Sequence, residues 1–303
     1  MISDLKSLVD PLGQTEFLTQ LRERKLTFLP GCGSRRFETL LNWEILNYLL
    51  NSATLPLVAL RVLRESVSIP TNIYVKQGRV DPTALSKLLD QGVSLIFNLL
   101  DEHVPALRTL CKNLARETLE QISTAAVVTS GRGGALECHY DPEDLIILQI
   151  AGTKRWQVFN SPIVNPVPGI AARSPEGPPI FNQVLQPGDL LFLPARYWHH
   201  CENGPHRSLH VSILFAPLNG RHLMTELVSQ LSSDETFSRP LTRHSNPEVL
   251  AEHEAALKVC LVEAIQAISL ERFLTERAAS RPLEGIQLER RADETHDLQA
   301  TRT

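Results

Sequence analysis

The chain has 303 residues, of which 43% are hydrophobic and 21% are charged. This composition is that of a globular protein with a sizeable core, and it excludes a chain that is disordered throughout. The net charge of −4 gives no overall basic surface, so nucleic-acid binding is not expected.

Targeting signals and cysteine spacing narrow the class further. No apolar run approaches the roughly 18 residues that a membrane span requires, and the start of the chain predicts no signal peptide. The five cysteines are scattered, odd in number and without a CxxC pair. They predict free thiols in a reducing compartment, the cytoplasm.

The first 130 residues combine helical and strand patterns. Asp81 followed by Pro82 is typical of a helix start, because the aspartate caps free N–H groups and proline fits the first turn. The predicted elements are a helix over 37–50, a strand over 73–75, a helix from Asp81 to Gly92, a strand over 94–98 and a helix over 102–121.

Residues 123–217 form a β-rich segment in which short runs alternate with turns, which predicts a sandwich or barrel. Ala151-Gly152-Thr153 predicts a tight hairpin, and Pro187-Gly188-Asp189 predicts a turn before a strand. Residues 160–188 contain seven prolines and predict a long loop with little regular structure. The predicted strands are 125–129, 145–150, 154–159, 190–193 and 208–215.

The pattern becomes helical again after Leu218. Apolar spacing predicts helices over 221–231 and 247–268. The end of the chain, from about Glu284, is polar and predicts a frayed tail.

The most informative residues for chemistry are His139 and Asp141. In a strand, residues two apart point to the same side, so an imidazole and a carboxylate would face one point. His199 follows a second predicted strand and could reach the same point from a turn. Two histidines and a carboxylate on one face form the ligand set of non-haem Fe(II) oxygenases. An HxD pair by itself is common by chance, so the hypothesis depends on His199.

Lys154 opens a predicted strand in which it shares a face with Trp156 and Val158. If that face points inward, an ammonium group lies among apolar side chains and requires an anion, because burying an unpaired charge is costly. The distal carboxylate of 2-oxoglutarate is a suitable anion. The alternative is that Lys154 faces solvent and Arg155 faces inward.

The segment from Ser208 to Leu214 alternates polar and apolar residues. Ser208, His210 and Ser212 fall on one face, which suits a polar, ligand-holding cavity, while the apolar face can pack on helices. The alternative is a strand whose polar face is solvated.

These segments together resemble the JmjC-type branch of the cupin 2-oxoglutarate oxygenases, and in particular the ribosomal oxygenases and related bacterial cupin-like proteins. The resemblance covers about residues 70–217. The matching segments are His139-Tyr-Asp141, Leu148-Gln-Ile-Ala-Gly-Thr-Lys154-Arg-Trp156, Leu185-Gln-Pro-Gly-Asp-Leu-Leu-Phe-Leu-Pro194, Trp198-His199 and Ser208-Leu-His210-Val-Ser212.

The resemblance implies an α+β fold with a mainly β core: a double-stranded β-helix (jelly-roll, cupin) with N-terminal α/β elements and C-terminal helices. The implied domain spans 1–217 with its core at 123–217, followed by a helical region at 218–285 and a flexible tail at 286–303.

The resemblance also implies roles for individual residues. His139, Asp141 and His199 would hold Fe(II), with His199 favoured over His200 as the third ligand. Lys154 would pair with the C5 carboxylate of 2-oxoglutarate, and His210 and Ser212 would line the pocket. The chain departs from related enzymes at Val127, where a tyrosine near the co-substrate is common.

The implied activity is an Fe(II)- and 2-oxoglutarate-dependent hydroxylase that uses O2, releases succinate and CO2, and acts on a protein or peptide side chain. Three alternatives stay open: a small-molecule tailoring hydroxylase, a non-catalytic metal-binding cupin, and a zinc- or manganese-dependent isomerase. A second copy of the chain is a possible partner, in a homodimer formed through the C-terminal helices.

Overall fold

A computed structural model gives the fold of the chain. It describes residues 2–52, 55–64, 66–131, 137–160, 175, 177–241 and 246–279. The predicted tail at 286–303 and about half of the proline-rich segment, 161–174 together with residue 176, lie outside the described residues.

Helices occupy both ends of the described chain, and strands occupy the middle. The helices are α1 (Leu5–Leu8), α2 (Gln14–Arg22), α3 (Trp43–Asn51), α4 (Pro82–Asp90), α5 (Pro105–Thr118), α6 (Gly220–Leu231), α7 (Glu235–Ser238), α8 (Pro247–Gln266) and α9 (Leu270–Ala279). The strands are β1 (Thr27–Leu29), β2 (Leu60–Arg64), β3 (Val67–Ser68), β4 (Val75–Lys76), β5 (Arg79–Val80), β6 (Ser94–Asn98), β7 (Gln121–Thr129), β8 (Asp144–Ala151), β9 (Lys154–Phe159), β10 (Phe181–Leu185), β11 (Leu190–Leu193), β12 (Trp198–Asn203) and β13 (Ser208–Ala216).

Two antiparallel sheets build the core. The large sheet has the strand order β1-β11-β8-β13-β7-β6-β2-β3, and the small sheet has the order β10-β9-β12. Side chains from both sheets form one buried cluster, in which Trp156 and Val158 of the small sheet meet Ile147 and Leu191 of the large sheet. This arrangement confirms the predicted α+β class with a double-stranded β-helix core.

The other face of the large sheet carries the helices. On β13, Leu209, Val211 and Ile213 belong to a second buried cluster that also includes Phe17 of α2 and Leu107 of α5. Strict alternation along β13 therefore leaves its polar residues on the face toward the small sheet. The predicted division of this strand into a polar inner face and an apolar outer face is confirmed.

The prediction of a hairpin at Ala151-Gly152-Thr153 is wrong. β8 pairs with β11 and β13, whereas β9 pairs with β10 and β12, so this turn carries the chain from the large sheet to the small one. The same turn residues suit a hairpin and a connection between two sheets. The residues of a turn therefore do not show which strands its flanking strands pair with.

Gly152 is required at this crossing, because its φ of +65° is combined with close approach of another segment. A Cβ atom at Gly152 would lie 2.2 Å from the carbonyl oxygen of Arg207. We expect Gly152→Ala to destabilise the protein by roughly 3–5 kcal/mol, the sum of left-handed strain and the clash. Gly78 has a φ of +74° with nothing within 4 Å of its Cβ position, so Gly78→Ala should cost only about 1–2 kcal/mol. Urea unfolding of both variants measures the difference, and equal losses would exclude the clash.

Several predicted elements are confirmed with adjusted ends. The helix after Asp81, the strand at 94–98 and the helix within 102–121 are present as α4, β6 and α5. The helix predicted over 37–50 begins only at Trp43, because the Asn42 side chain accepts a hydrogen bond from the N–H of Ile45 and caps it there.

Two other predictions are wrong in part. Residues 71–73 form a 3₁₀ turn and strand β4 begins at Val75, so no strand spans 73–75. β10 lies inside the segment predicted to be a loop and pairs with β9 along its whole length. The prolines of this segment obscured β10, which is itself free of proline.

The C-terminal region is helical, as predicted, at α6 and α8, and it also contains α9, which the sequence did not reveal. α9 contacts α5 and β7, and Phe273 on α9 is buried. None of the described helices is long and apolar enough to cross a membrane.

A buried carboxyl group precedes β7. Burial, reinforced by the nearby Asp144 carboxylate, raises the pKa of Glu120 to about 7. Above the unfolded-state pKa the native state holds the proton more tightly, so stability falls as pH rises from about 4.5 toward 7. Glu120→Gln should match the wild type near pH 4 and exceed its unfolding free energy above pH 7, by on the order of 3 kcal/mol at most. Urea unfolding at both pH values tests this, and an equal difference at both would contradict it.

Candidate metal centre

His139, Asp141 and His199 come together at one end of the space between the two sheets. His139 and His199 form an antiparallel bridge: each donates its backbone N–H to the other's carbonyl, at 3.1 and 2.7 Å. Their rings lie 4.3 Å apart between centroids. The Asp141 carboxylate lies 3.5 Å from Nε2 of His199. One potential ligand atom from each residue falls within 4.8 Å of the others.

Backbone carbonyls fix the orientation of both imidazoles. Nδ1 of His139 lies 2.7 Å from the carbonyl oxygen of Glu137, and Nδ1 of His199 lies 3.1 Å from that of Tyr197. Because a carbonyl only accepts, each Nδ1 carries the proton and donates it. Nε2 of each ring is then left as a lone pair, which is the tautomer that metal-binding histidines adopt.

The electrostatics of His199 favour a neutral ring. Burial, reinforced by the nearby His139 and opposed by Asp141, lowers the pKa of His199 to about 4. At neutral pH the ring is therefore an uncharged donor, which is the state that coordinates a cation.

His199 lies in a different setting from the predicted one. We expected it on a turn after a strand, but it is the second residue of β12, paired with Val158. Strand alternation explains why His199 is buried and His200 is half-buried with an outward direction. Among the described residues, the group that could hold a metal contains His199 and not His200.

Lys154 faces the interior of the barrel. Only 4% of its surface is exposed, and burial lowers the pKa of its ammonium group. No carboxylate of the described residues lies within ion-pairing distance of it, and the Cys201 thiol is the group that opposes the lowering of its pKa. Arg155 points outward and pairs with Glu202 at 3.5 Å. The alternative orientation of this strand is therefore wrong.

His210 and Ser212 project from β13 into the same interior. His210 is 3% exposed, and burial lowers its pKa well below the usual value, with the Lys154 charge acting in the same direction. Its Nδ1 has no hydrogen-bond partner among the described residues. Ser212 is half-buried and lies opposite Ala125.

Sequence reasoning missed the part played by Trp156. Its ring stacks on His199 at 5.8 Å and meets the His210 ring edge-on at 5.5 Å, so it lies between the metal-binding group and the Lys154 end. Its Nε1 is buried without a partner among the described residues. Because Trp156 shares a face with Lys154, strand alternation could have identified it.

The fold and the site together define a class of protein: a cupin-type double-stranded β-helix that holds two histidines and an aspartate at one end and a buried lysine farther in. Residues 104–223 match the family model for the JmjC domain. This match contains the predicted β core, 123–217, and confirms the resemblance for that segment of the chain.

Known proteins show the same relationship. The chain is 24% identical over 230 residues to the bifunctional lysine-specific demethylase and histidyl-hydroxylase NO66 of Drosophila grimshawi, covering 69% of this chain and 30% of that protein. It is 26% identical over 222 residues to ribosomal oxygenase 1 of Rattus norvegicus, covering 68% and 36%. The chain thus spans about a third of the length of these relatives.

Solved structures extend the likeness to the fold. A structure of YcfD, a ribosomal oxygenase from Escherichia coli in complex with cobalt and 2-oxoglutarate, matches with a TM-score of 0.59. Sequence identity is 17%, and the match covers 90% of this chain and 72% of that chain.

Proposed function

We propose that this protein is an Fe(II)- and 2-oxoglutarate-dependent oxygenase that hydroxylates a protein or peptide side chain and releases succinate and CO2. The observation that carries the proposal is the combination, in one barrel, of a convergent His139, Asp141 and His199 with a buried Lys154 that has no ion-pair partner among the described residues. The JmjC match and the cobalt and 2-oxoglutarate named for YcfD support it.

The residues of the site suit both Fe(II) and 2-oxoglutarate chemically. Two neutral imidazoles and one carboxylate suit a divalent iron and leave coordination positions open for a 2-oxo acid and O2. When bound, iron and 2-oxoglutarate together supply the oxidising chemistry. The Lys154 ammonium would hold the far carboxylate, which compensates its burial, and His210 and Ser212 would line the space beside it.

The chain also positions the metal-binding side chains and excludes water from them. The carbonyls of Glu137 and Tyr197 hold the two imidazoles in the metal-binding tautomer. Trp156 packs against His199, so the ligand is backed by an apolar ring that limits solvent access.

A protein or peptide substrate is proposed because the names of the relatives describe a histidyl-hydroxylase and ribosomal oxygenases.

We also propose the division into an oxygenase domain (1–217), a helical region (218–285) and a tail (286–303). All five cysteines are free, which supports a reducing compartment such as the cytoplasm.

Turnover in vitro tests the proposal directly. Purified protein with Fe(II), 2-oxoglutarate and O2 should form succinate, and His139→Ala should not. Incubation with cell extract followed by mass spectrometry should reveal a peptide that has gained one oxygen atom. A modified small metabolite instead would indicate a tailoring hydroxylase. Failure of the wild type to bind 2-oxoglutarate would leave a non-catalytic cupin. Zinc or manganese bound to the purified protein, without O2-dependent turnover, would favour an isomerase.

We further propose a homodimer through the C-terminal helices. Val259, Val262 and Ile265 recur on α8 at helical spacing and are each more than half exposed. Val262→Glu should convert the dimer to a monomer in sedimentation-velocity experiments, because a charge would replace an apolar contact. Val58→Glu, at an 87% exposed valine far along the chain, should leave the dimer intact. A monomeric wild type would overturn this proposal.

A further inference from the structure

We propose that Trp156 and His210 complete, with Lys154, an anion-binding end of the cavity, and that their ring N–H groups donate hydrogen bonds to the far carboxylate of the dicarboxylate co-substrate. This inference rests on the proposed function and assigns Trp156 a binding role in addition to its packing against His199.

The three side chains converge from two sheets. Lys154 and Trp156 alternate inward along β9, separated by the outward Arg155. His210 projects from β13 of the opposite sheet and meets the Trp156 ring edge-on, with 5.5 Å between centroids and an interplanar angle of 75°. Trp156 is the next inward residue after Lys154 on β9, and the Lys154 charge acts on His210, so both rings lie on the inward face near the Lys154 ammonium.

Two buried polar atoms in this space lack partners. Nε1 of Trp156 and Nδ1 of His210 are both inaccessible to solvent and have no hydrogen-bond partner among the described residues. Trp156 and His210 are each only 3% exposed. Buried polar groups in folded proteins are paired in the great majority of cases, so two orphans beside one another indicate that a ligand completes them.

The charge of the site selects the ligand. Indole Nε1 only donates, and a neutral His210 can present Nδ1–H as a second donor. Lys154 adds a positive charge with no described carboxylate to balance it. Water would satisfy the donors but would leave the ammonium unbalanced, whereas a carboxylate accepts from all three groups and neutralises the charge.

The neighbouring strand β7 offers a hydroxyl group but no ring N–H. Val127 lies directly across the strand pair from His210 and faces the same interior, but its side chain cannot donate. Thr129, two residues further along β7, carries a buried hydroxyl without a partner among the described residues and is the further donor available from that strand.

Calorimetry with full-length, Mn(II)-loaded protein tests the inference without turnover. The probes are 2-oxoglutarate and 2-oxopentanoate, which has the same length but no distal carboxylate. Trp156→Phe and His210→Phe keep an aromatic ring and remove the N–H, and each should weaken 2-oxoglutarate binding by roughly 10- to 100-fold. Binding of 2-oxopentanoate should not change. Gln157→Ala, which alters the outward neighbour of Trp156, should match the wild type with both probes.

A conservative variant separates the N–H from the ring. Asparagine can place an N–H near the position of Nδ1, so His210→Asn should retain more 2-oxoglutarate affinity than His210→Phe. Equal losses for both probes, unchanged 2-oxoglutarate binding in the phenylalanine variants, or equal losses in the Asn and Phe variants would each overturn the inference. A wild type that binds neither probe would instead refute the proposed function.

Discussion

Replacing Asp141 with asparagine is expected to abolish catalytic turnover and to weaken Fe(II) binding by roughly 100-fold or more. Loss of a residue that only hydrogen-bonds a metal ligand typically costs about 10- to 100-fold in metal affinity, and loss of a ligand itself should cost at least as much. Asp141 is the single anionic member of the group, and its carboxylate lies 3.5 Å from Nε2 of His199. Asparagine has the same shape but no charge, so it removes the electrostatic attraction for the cation while preserving the packing.

The measurement is metal affinity by competition with a chelator, together with succinate formation. Glu143→Gln is the matched control, because it makes the same change of carboxylate to amide two residues away, outside the metal-binding group. We expect the control to bind iron as the wild type does. Unaltered iron affinity in Asp141→Asn would show that the three side chains do not form the metal site.

Replacing Lys154 with methionine is expected to separate stability from function. The ammonium is buried without a described counter-ion, so the metal-free protein should become more stable by roughly 1–4 kcal/mol when an apolar side chain of similar length replaces it. The same change should weaken 2-oxoglutarate binding by roughly 100-fold or more, because one partner of a buried charge pair is lost.

Urea unfolding of the metal-free protein and calorimetry with 2-oxoglutarate measure the two effects. Arg155→Met removes the same charge from the adjacent, outward-facing position. It should change neither the co-substrate affinity nor, by more than about 1 kcal/mol, the unfolding free energy. A destabilised Lys154→Met that still binds 2-oxoglutarate would contradict the assignment of Lys154 to the carboxylate.

The local sequence pattern was sufficient to predict features that depend on a single strand or on the first turn of a helix. The sets of residues that share a face of β9 and of β13 follow from alternation, since side chains in a strand point to opposite sides in turn. The capped start of α4 follows from Asp81 and Pro82, because the aspartate side chain accepts from N–H groups only two and three residues ahead.

Pairing between distant segments was not predictable in the same way. β1, a three-residue strand, is defined by its contact with β11, more than 160 residues later in the chain. The turn at Gly152 was assigned to a hairpin because the partners of β8 and β9 lie far away in sequence. The tryptophan beside His199 was missed because its ring neighbours lie on other strands, His199 on β12 and His210 on β13.

The sequence by itself determined the residue types that the chemistry needs: two histidines, an aspartate and a lysine, together with the class of β-rich fold that could carry them. Only the tertiary structure decided that His139 and His199 pair through their backbones, that Lys154 has no described counter-ion, and that the rings of Trp156 and His210 meet. The physical reason is that alternation is a local property of the backbone, whereas convergence depends on which strands share hydrogen bonds across the whole chain.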